Sequence, residues 1–438
     1  MEMRVVCAFA FFTCALVVSV ASGIPIIVPL LAGLAVFAGV ALRQGHSPFA
    51  VAKMAWRGMK KSMPVLKILF LIGILTAVWR SGGTIPLCVY YGLSAIAPRF
   101  FILSAFVLTC CFSYAIGSCF GTAGTIGVVL MVVARSGGVD ESVAAGAILS
   151  GAFFGDRCAP ASSSANLVAS LTGTDLYTNI LNMFRTAFIP MILTLGIYLS
   201  LSFVNPLRSE NTAIISEIAG AFDLELVMAL PAALILLLPL LGVNVKKAMV
   251  ASILAGACLT LRTGVTLPRL VSIALAGYEV EGSFSQLLEG GGILSMAKVM
   301  SIVLIASTYS GIFDETGMLR GIQGFMERLS RRVSLYQATA AASAVTCLFA
   351  CNQTLAVILT SQIMNSIYAK RGVQRAVLAI DLEDTVILIA GLVPWSVAVG
   401  VPMALLSVGA GSIPYAVFLW LVPLVNLFPA MRRRIAVK

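Results

Sequence analysis

Long apolar runs, each ended by a short polar segment, make up most of the chain. Uncharged stretches such as Ile24–Leu42, Ala187–Val204 and Leu226–Val243 are long enough to cross roughly 30 Å of hydrocarbon as helices. The pattern predicts spans near 5–20, 24–42, 64–79, 84–98, 100–117, 121–135, 143–156, 186–204, 224–243, 247–261, 266–280, 296–312, 335–351, 353–369, 378–400 and 404–428. The predicted fold class is an all-α polytopic membrane protein.

Composition and charge strengthen this prediction. Of the 438 residues, 60% are hydrophobic and 11% charged, whereas a soluble domain carries about 25% charged residues. No acidic residue lies between Glu2 and Asp140, and loops confine most basic residues, as the positive-inside rule expects. The predicted basic loop after the second span contains Arg43, Lys53, Arg57, Lys60 and Lys61. No basic stretch carries interleaved aromatic residues, so the sequence argues against nucleic-acid binding and leaves the lipid bilayer as the partner.

The apolar pattern also divides the chain. Met1–Ala21 has the features of a signal peptide, but a second apolar run begins at Ile24, which favours a hairpin of two spans. The polar stretch Asn205–Phe222 is the predicted linker between two halves. The predicted organisation is an N-terminal hairpin and basic loop (1–62), a first transporter repeat (63–204), the linker (205–222), connecting helices (223–295) and a second repeat (296–438).

Three polar features recur in the same order in both halves. Each half has a break after an apolar helix, then a polar interruption, then an acid followed by a proline. The first half supplies Arg80–Gly83, Gly121–Thr125 and Asp156 with Pro160; the second supplies Asp314–Gly317, Cys351–Thr354 and Glu383–Asp384 with Pro394. Interrupted segments at matching positions of two halves indicate a transporter whose binding site lies near the membrane midplane.

The segment 150–166 holds the densest chemistry. An apolar helix runs into Asp156, and Pro160 follows four residues later, before the polar residues Ser162, Ser163, Ser164 and Asn166. Proline and the polar run should end the helix. Backbone polar groups that are not hydrogen-bonded within a helix are tolerated inside a membrane only where they line a cavity or are buried in protein. An ionisable group inside a span marks an ion path or proton relay, so Asp156 is the first candidate. The alternative is that Asp156 only pairs with Arg157 at the membrane edge.

Other polar residues in the spans complete the candidate set. The first half adds Thr122 and Thr125, for which packing between helices is an alternative role. The second half offers Asn352, Gln353, Thr354, Glu383, Asp384 and Thr385. Asp175 follows Gly173-Thr174 and is predicted to cap a helix.

Several motifs carry a family resemblance. The stretches 121–127, 151–157, 173–180, 382–385 and 393–395 closely resemble the NhaC-type sodium–proton antiporters of the ion transporter superfamily. The resemblance implies two inverted-topology repeats, with broken helices and re-entrant hairpins meeting at the midplane. It also implies exchange of external protons for internal cations, or of organic anions in some relatives, in the bacterial inner membrane. By the resemblance Asp156, Asn166, Glu383 and Asp384 inherit binding roles, with Asp156, Asn166 and Asp384 as candidate sodium ligands. Sodium and protons are the coupling ions, and no cofactor is expected.

Two departures from the family pattern leave the substrate open. The family pattern after the proline resembles Ser-Asp-Thr-Thr-Asn, whereas this chain has Ser163 at the acidic position, and Asn352 stands where an acid is expected. The first hypothesis is cation–proton antiport by alternating access with Asp156 as the shared site. The second is exchange or symport of an organic acid or amino acid, with Arg157 or Arg80 holding its carboxylate.

Two further classes fit less well. An intramembrane serine enzyme would need a base, but the single histidine, His46, lies in a loop and no G-x-S-x-G elbow is nearby. Broken helices and repeats favour alternating access over a passive channel. A homodimer is compatible with the sequence.

Overall fold

The computed structural model describes residues 3–22, 24–95, 97–207, 225–279, 289–318 and 328–428. Apart from one isolated antiparallel bridge between Tyr278 and Gly290, the regular structure of these residues is helical. The predicted linker 205–222 lies outside the described residues from position 208 onward. The prediction of an all-α polytopic membrane protein is thus confirmed for the described part of the chain.

Ten α-helices precede the linker in the residues that the structure describes. They are α1 (Met3–Ser22), α2 (Ile27–Arg43), α3 (Pro48–Lys61), α4 (Met63–Ser81), α5 (Thr84–Ala95), α6 (Phe101–Ile116), α7 (Cys119–Ser136), α8 (Glu141–Cys158), α9 (Ser163–Thr172) and α10 (Leu176–Val204). Five helices of the described residues are long and apolar enough to cross a membrane, and four of them are α4, α6 (counted from Pro98), α7 and α10.

Ten further α-helices follow the linker in the described part of the chain. They are α11 (Leu230–Leu240), α12 (Val245–Arg262), α13 (Leu267–Ala276), α14 (Ile293–Thr316), α15 (Leu335–Ala350), α16 (Gln353–Lys370), α17 (Arg375–Asp384), α18 (Val386–Ile389), α19 (Val397–Leu405) and α20 (Val417–Asn426). The fifth span by length and composition is the segment Ile293–Phe313 of α14.

Helix α8 is the centre of the packing. Every residue from Val143 to Cys158 is buried. The helix itself carries mostly small and apolar side chains on all of its faces, so each face can pack against a neighbouring helix. Gly151 and Gly155 face α6, where a Cβ on either glycine would collide with the backbone of Phe106 and Ser113. Small residues four apart allow this close approach, and they bring the end of α8 into the middle of the molecule.

The prediction of a loop over residues 43–61 is wrong for most of that range, since Pro48–Lys61 forms helix α3. Ser47 caps the helix by accepting a hydrogen bond from Ala50 N at 3.2 Å. Val51, Met54 and Gly58 form a buried stripe against α14, with Gly58 close to Gly311. Basic residues interrupt the apolar positions of this helix, so it contains no long apolar run and was not predicted.

Three other boundaries differ from the predictions. Gly121–Thr125 is not a break, because α7 passes through it with a π turn at Ala123–Gly127. The predicted single spans 378–400 and 404–428 are both interrupted. Between α18 and α19 lie Gly391 and Pro394, and proline lacks the N–H that a continuing helix needs. Ser407 has a left-handed φ of 56°, which ends the helical backbone after α19.

Candidate functional site

Four interruptions of the helices lie close together around the end of α8. The break between α6 and α7 is at Gly117–Ser118, where Gly117 has a left-handed φ of 69° and lies against Ala161. The break between α15 and α16 is at Cys351–Asn352, and Cys351 O accepts a hydrogen bond from Val397 N at 2.9 Å. The segments 159–162 and 390–396 are the other two interruptions.

A side chain caps the helix that follows each interruption. Ser118, Ser162, Asn352 and Ser396 each accept a hydrogen bond from a backbone N–H of the first turn. The starts of α7, α9, α16 and α19 lie near the end of α8, because residues from all four line one cavity together with Asp156. Since helix N-termini carry partial positive charge, this arrangement surrounds the last turn of α8 with donors that favour a carboxylate.

Asp156 stands in the last turn of α8 and is 4% exposed. Its Oδ2 accepts a hydrogen bond from Gln353 Nε2 at 3.1 Å, and the same nitrogen donates to Ile387 O at 3.1 Å. Its backbone carbonyl accepts hydrogen bonds from Ser162 Oγ and from Ser164 Oγ, the latter at 2.8 Å. Asn166 Nδ2 donates to Pro160 O at 3.0 Å and to Ser162 O at 2.6 Å. The serines and Asn166 thus hold the irregular backbone that follows Asp156.

A cavity of about 250 Å³ opens beside this carboxyl group. Its polar lining residues are Ser118, Asp156, Ser163, Asn352, Gln353 and Thr354, and its apolar lining includes Pro64, Val65 and Val397. Asp156 is the only charged side chain among the described residues that line it. Four of the predicted site residues outside α8 (Ser163, Asn352, Gln353 and Thr354) therefore meet Asp156 in one cavity.

Arg157 has a different partner from the one considered in the sequence analysis. It is fully buried and donates to Asp384 Oδ1 and, at 2.9 Å, to Thr186 Oγ1. Thr186 Oγ1 also donates to Asp384 Oδ1 at 2.9 Å, and Asn426 Nδ2 approaches Asp384 Oδ2 at 3.4 Å. The pairing of Asp156 with Arg157 at the membrane edge is therefore corrected: the guanidinium is buried and bound to Asp384.

Glu383 is fully buried next to this pair. Neither of its carboxyl oxygens has a hydrogen-bond partner among the described residues. It is close enough to Arg157, Asp156 and Asp384 for direct electrostatic interaction. Two buried carboxyl groups, those of Glu383 and Asp384, thus lie near one buried guanidinium, with Asp156 close to Glu383, and isolated buried charges are costly. The cluster can reach charge balance by taking up protons or cations.

The remaining candidates lie away from the cavity. Thr122 Oγ1 and Thr125 Oγ1 donate to carbonyls four residues earlier, Ser118 O at 2.9 Å and Gly121 O at 2.7 Å. Thr385 Oγ1 donates to Asp381 O at 2.5 Å and is fully buried. No hydrogen bond among the described residues joins Asp156, Asn166 and Asp384 to one another. Asp175 caps α10 as predicted, since it accepts a hydrogen bond from Thr178 N at 2.8 Å.

Two parts of this site were not predicted from the sequence. The break at Gly117–Ser118 was overlooked in favour of the more polar stretch 121–125, although a Gly-Ser pair inside an apolar run was a usable signal. The contributions of Pro64 and Val397 to the cavity had no signal in the sequence, because they depend on tertiary packing.

Comparison of the sequence with known proteins identifies a family. The sequence model of the Na+/H+ antiporter family matches residues 2–170 and 151–428. The chain belongs to the Na+/H+ antiporter family. It is therefore a transporter and not an enzyme, and an integral multi-pass membrane protein with ions as substrates.

Several known antiporters are similar to this chain over most of their length. The Na+/H+ antiporter NhaC of Alkalihalophilus pseudofirmus is 30% identical over 421 residues, which cover 94% of this chain and 90% of the relative. An uncharacterized Na+/H+ antiporter of Haemophilus influenzae is 28% identical, covering 90% and 87%. A malate-2H+/Na+-lactate antiporter of Bacillus subtilis is 27% identical, covering 87% and 83%.

Proposed function

We propose that this protein is a sodium–proton antiporter of the bacterial inner membrane, in which Asp156 carries either a proton or a sodium ion. The observation that carries the proposal is the placement of Asp156 as the charged side chain of a cavity otherwise lined by apolar groups, hydroxyls and amides. An ionisable group at such a position is expensive and by default marks an ion pathway.

The surroundings of Asp156 suit exchange between two small cations. Sodium is a hard cation that prefers oxygen ligands, and Ser163, Asn352, Gln353 and Thr354 bring side-chain oxygens to the same cavity. A proton and a sodium ion cannot both neutralise one carboxylate, so binding of either displaces the other. That competition couples the two fluxes when the cavity is open to one side of the membrane at a time.

The buried neighbours of Asp156 leave its carboxyl group available to bind a cation or a proton. Arg157 follows Asp156 directly, but it is bound to Asp384 and Thr186 and lies away from the cavity. We propose that Asp384 acts as a positioning residue that holds Arg157, and that Glu383 is a second acid that shares the charge of the cluster. The cation then competes with protons alone and not with an internal guanidinium.

The proposal is tested by proton flux in proteoliposomes with an imposed pH gradient. Sodium, lithium and potassium are added in turn to vesicles containing the parent protein, Asp156→Asn or Asp140→Asn. Asp140 caps the other end of α8, so its substitution is a matched control on the same helix. We expect sodium or lithium to collapse the gradient with the parent and the control, and Asp156→Asn to respond at least tenfold less. A parental response from Asp156→Asn would refute the role of Asp156.

A second candidate is coupled exchange of a small organic acid or amino acid. The cavity of about 250 Å³ is roomier than a single bare cation needs, and Ser163 adds no charge to it. Four helix N-termini around it also favour a carboxylate. Adding malate, lactate and amino acids to the same vesicles separates the two functions. If these solutes dissipate the gradient and no cation does so alone, the second candidate replaces the first.

A further inference from the structure

The described elements of the two halves recur at one constant spacing. Helix α15 begins at Leu335, which is 234 positions after Phe101, the first residue of α6, and its last residue, Ala350, follows Ile116 by the same 234. Helix α16 repeats both limits of α7 with this offset, from Cys119 to Gln353 and from Ser136 to Lys370. Helices α8 and α17 also start 234 positions apart.

Backbone conformation follows the same spacing. Gly117 and Cys351 have left-handed φ angles of 69° and 52°, and Gly173 and Ser407 have 65° and 56°. The next residues, Ser118 and Asn352, both cap a helix, with φ, ψ of −150°, 122° and −143°, 128°. Non-glycine residues rarely adopt φ above zero, so their occurrence at counterpart positions of glycines argues against coincidence. The breaks of the two halves are therefore equivalent.

The side chains at the equivalent positions are different. The counterpart of Asp156 is Ala390, and the counterparts of Ser163, Ser164 and Asn166 are Val397, Ala398 and Gly400. At these equivalent positions only the first half thus carries an acid followed by a polar cluster, so the predicted match of Asp156 with Glu383–Asp384 does not hold at this spacing. The start of α19 keeps the backbone of the start of α9 but presents apolar groups at the equivalent place.

The cavity beside Asp156 is partly symmetric under this offset. Residues 118–120 and 352–354 both line it, as do Ser163 and its counterpart Val397. Pro64 and Val65 are among the lining residues that break the symmetry, because their counterparts Lys298 and Val299 do not line it. Those two counterparts line a second cavity of about 220 Å³, together with Ser396, Val397 and Gly400. Val397 therefore lines both cavities.

We propose that the second cavity is the vestibule through which Asp156 communicates with the opposite side of the membrane, and that Ser396–Ala398 is the gate between the two. This inference rests on the proposed function and adds the route. The transported species is a small hydrated cation or a proton. In the present conformation the Pro64 side of the site is open, and Val397 closes the Lys298 side. When each half adopts the conformation that the other half has in this structure, the second cavity opens and the first closes.

A cavity-filling pair of variants tests the route. Ala404 lines the second cavity, and Ala232 lines an unrelated apolar cavity of about 360 Å³ that does not contain Asp156. We expect Ala404→Trp to reduce gradient-driven exchange at least tenfold and Ala232→Trp to stay within twofold of the parent. The thermal stabilisation of purified Ala404→Trp by sodium should persist, because the cavity beside Asp156 is untouched. Parental exchange by Ala404→Trp would overturn the proposal.

A labelling experiment covers failure of the tryptophan variant to fold. Ala404→Cys and Thr354→Cys are made in a background in which the exposed Cys7, Cys14, Cys111 and Cys258 are replaced by serine. Vesicles of one orientation receive a charged, membrane-impermeant thiol reagent inside or outside, and labelling above the background is measured. We expect Thr354→Cys to label from one side and Ala404→Cys from the other, with Ala404→Cys labelled faster when the pH gradient is reversed.

The outcomes separate the route from the function. If Ala404→Cys does not label, or labels from the same side as Thr354→Cys, the second cavity is a packing defect and the inference is wrong. That result can coexist with sodium-driven proton flux by the parent. If the parent moves no cation, the proposed function fails, whereas labelling from opposite sides would still establish the two vestibules for another solute.

Discussion

Gln353 donates a hydrogen bond to Asp156 from 197 positions further along the chain, at 3.1 Å. Gln353 lies in the first turn of α16, after the break of the second half, and Asp156 lies in the last turn of α8 in the first half. The same amide nitrogen donates to Ile387 O, just beyond α17. A single side chain thus holds the carboxyl of one half against the backbone of the other.

Replacing Gln353 by leucine should weaken cation binding without unfolding the protein. A hydrogen bond to a charged group contributes about 1.5 kcal/mol or more, and about 1.4 kcal/mol corresponds to a tenfold change in an equilibrium constant. We therefore expect the sodium concentration for half-maximal proton flux to rise about tenfold in Gln353→Leu. Gln362→Leu, on the exposed side of the same helix, is the matched control and should behave as the parent. Equal sodium dependence in both variants would show that the contact is incidental.

The sequence predicted the parts of the site that depend on local chemistry. A broken helix was predicted at Asp156, Pro160 and the serines, because a carboxylate, a proline and hydroxyls all interrupt the spacing of apolar residues. The cap formed by Asp175 was predicted in the same way, from its place after Gly173-Thr174. Pairing across the molecule left no such trace: Arg157 stands beside Asp156 in sequence, yet it binds Asp384, 227 positions away. Helix α3 was missed because charged residues cover one side of it, although Val51, Met54 and Gly58 carry the helical spacing.

The buried pair of Arg157 and Asp384 should be strongly coupled in stability. Removing one member leaves the other charge buried without its partner, which costs about 3–5 kcal/mol, whereas removing both avoids that cost. We expect Asp384→Asn to lower the thermal unfolding temperature in detergent markedly, and Arg157→Met/Asp384→Asn to recover part of the loss. The pair Arg135 and Glu141, joined at 2.9 Å and partly exposed, provides the comparison. Glu141→Gln should cost less than about 1 kcal/mol. Additive losses in the double variant would contradict a buried ion pair.

Close packing of α8 on α6 should make Gly155 intolerant of any side chain. A Cβ there would collide with the backbone of Ser113, which cannot move without displacing α6. Overpacking a well-filled interior typically costs about 1–3 kcal/mol, and the end of α8 carries Asp156. We expect Gly155→Ala to lower the unfolding temperature and the proton flux together. Gly196→Ala, on α10 where a Cβ meets nothing within 4 Å, should change neither. Normal stability of Gly155→Ala would mean that the helices are farther apart than described.

Placing an acid at position 163 should decide which substrate the cavity favours. Ser163 lines the cavity with Asp156 and is the first residue of α9, where a negative charge is favourable because of the helix dipole. A second carboxylate raises the affinity for a cation and repels an anion. For a sodium–proton antiporter, Ser163→Asp should lower the sodium concentration for half-maximal flux about tenfold, equivalent to about 1.4 kcal/mol. For an exchanger of organic acids, the same substitution should suppress flux driven by malate or lactate. Ser163→Asn, of similar size but uncharged, separates the effect of charge from that of volume. If Ser163→Asp and Ser163→Asn respond alike to sodium and to organic acids, charge at position 163 does not select the substrate.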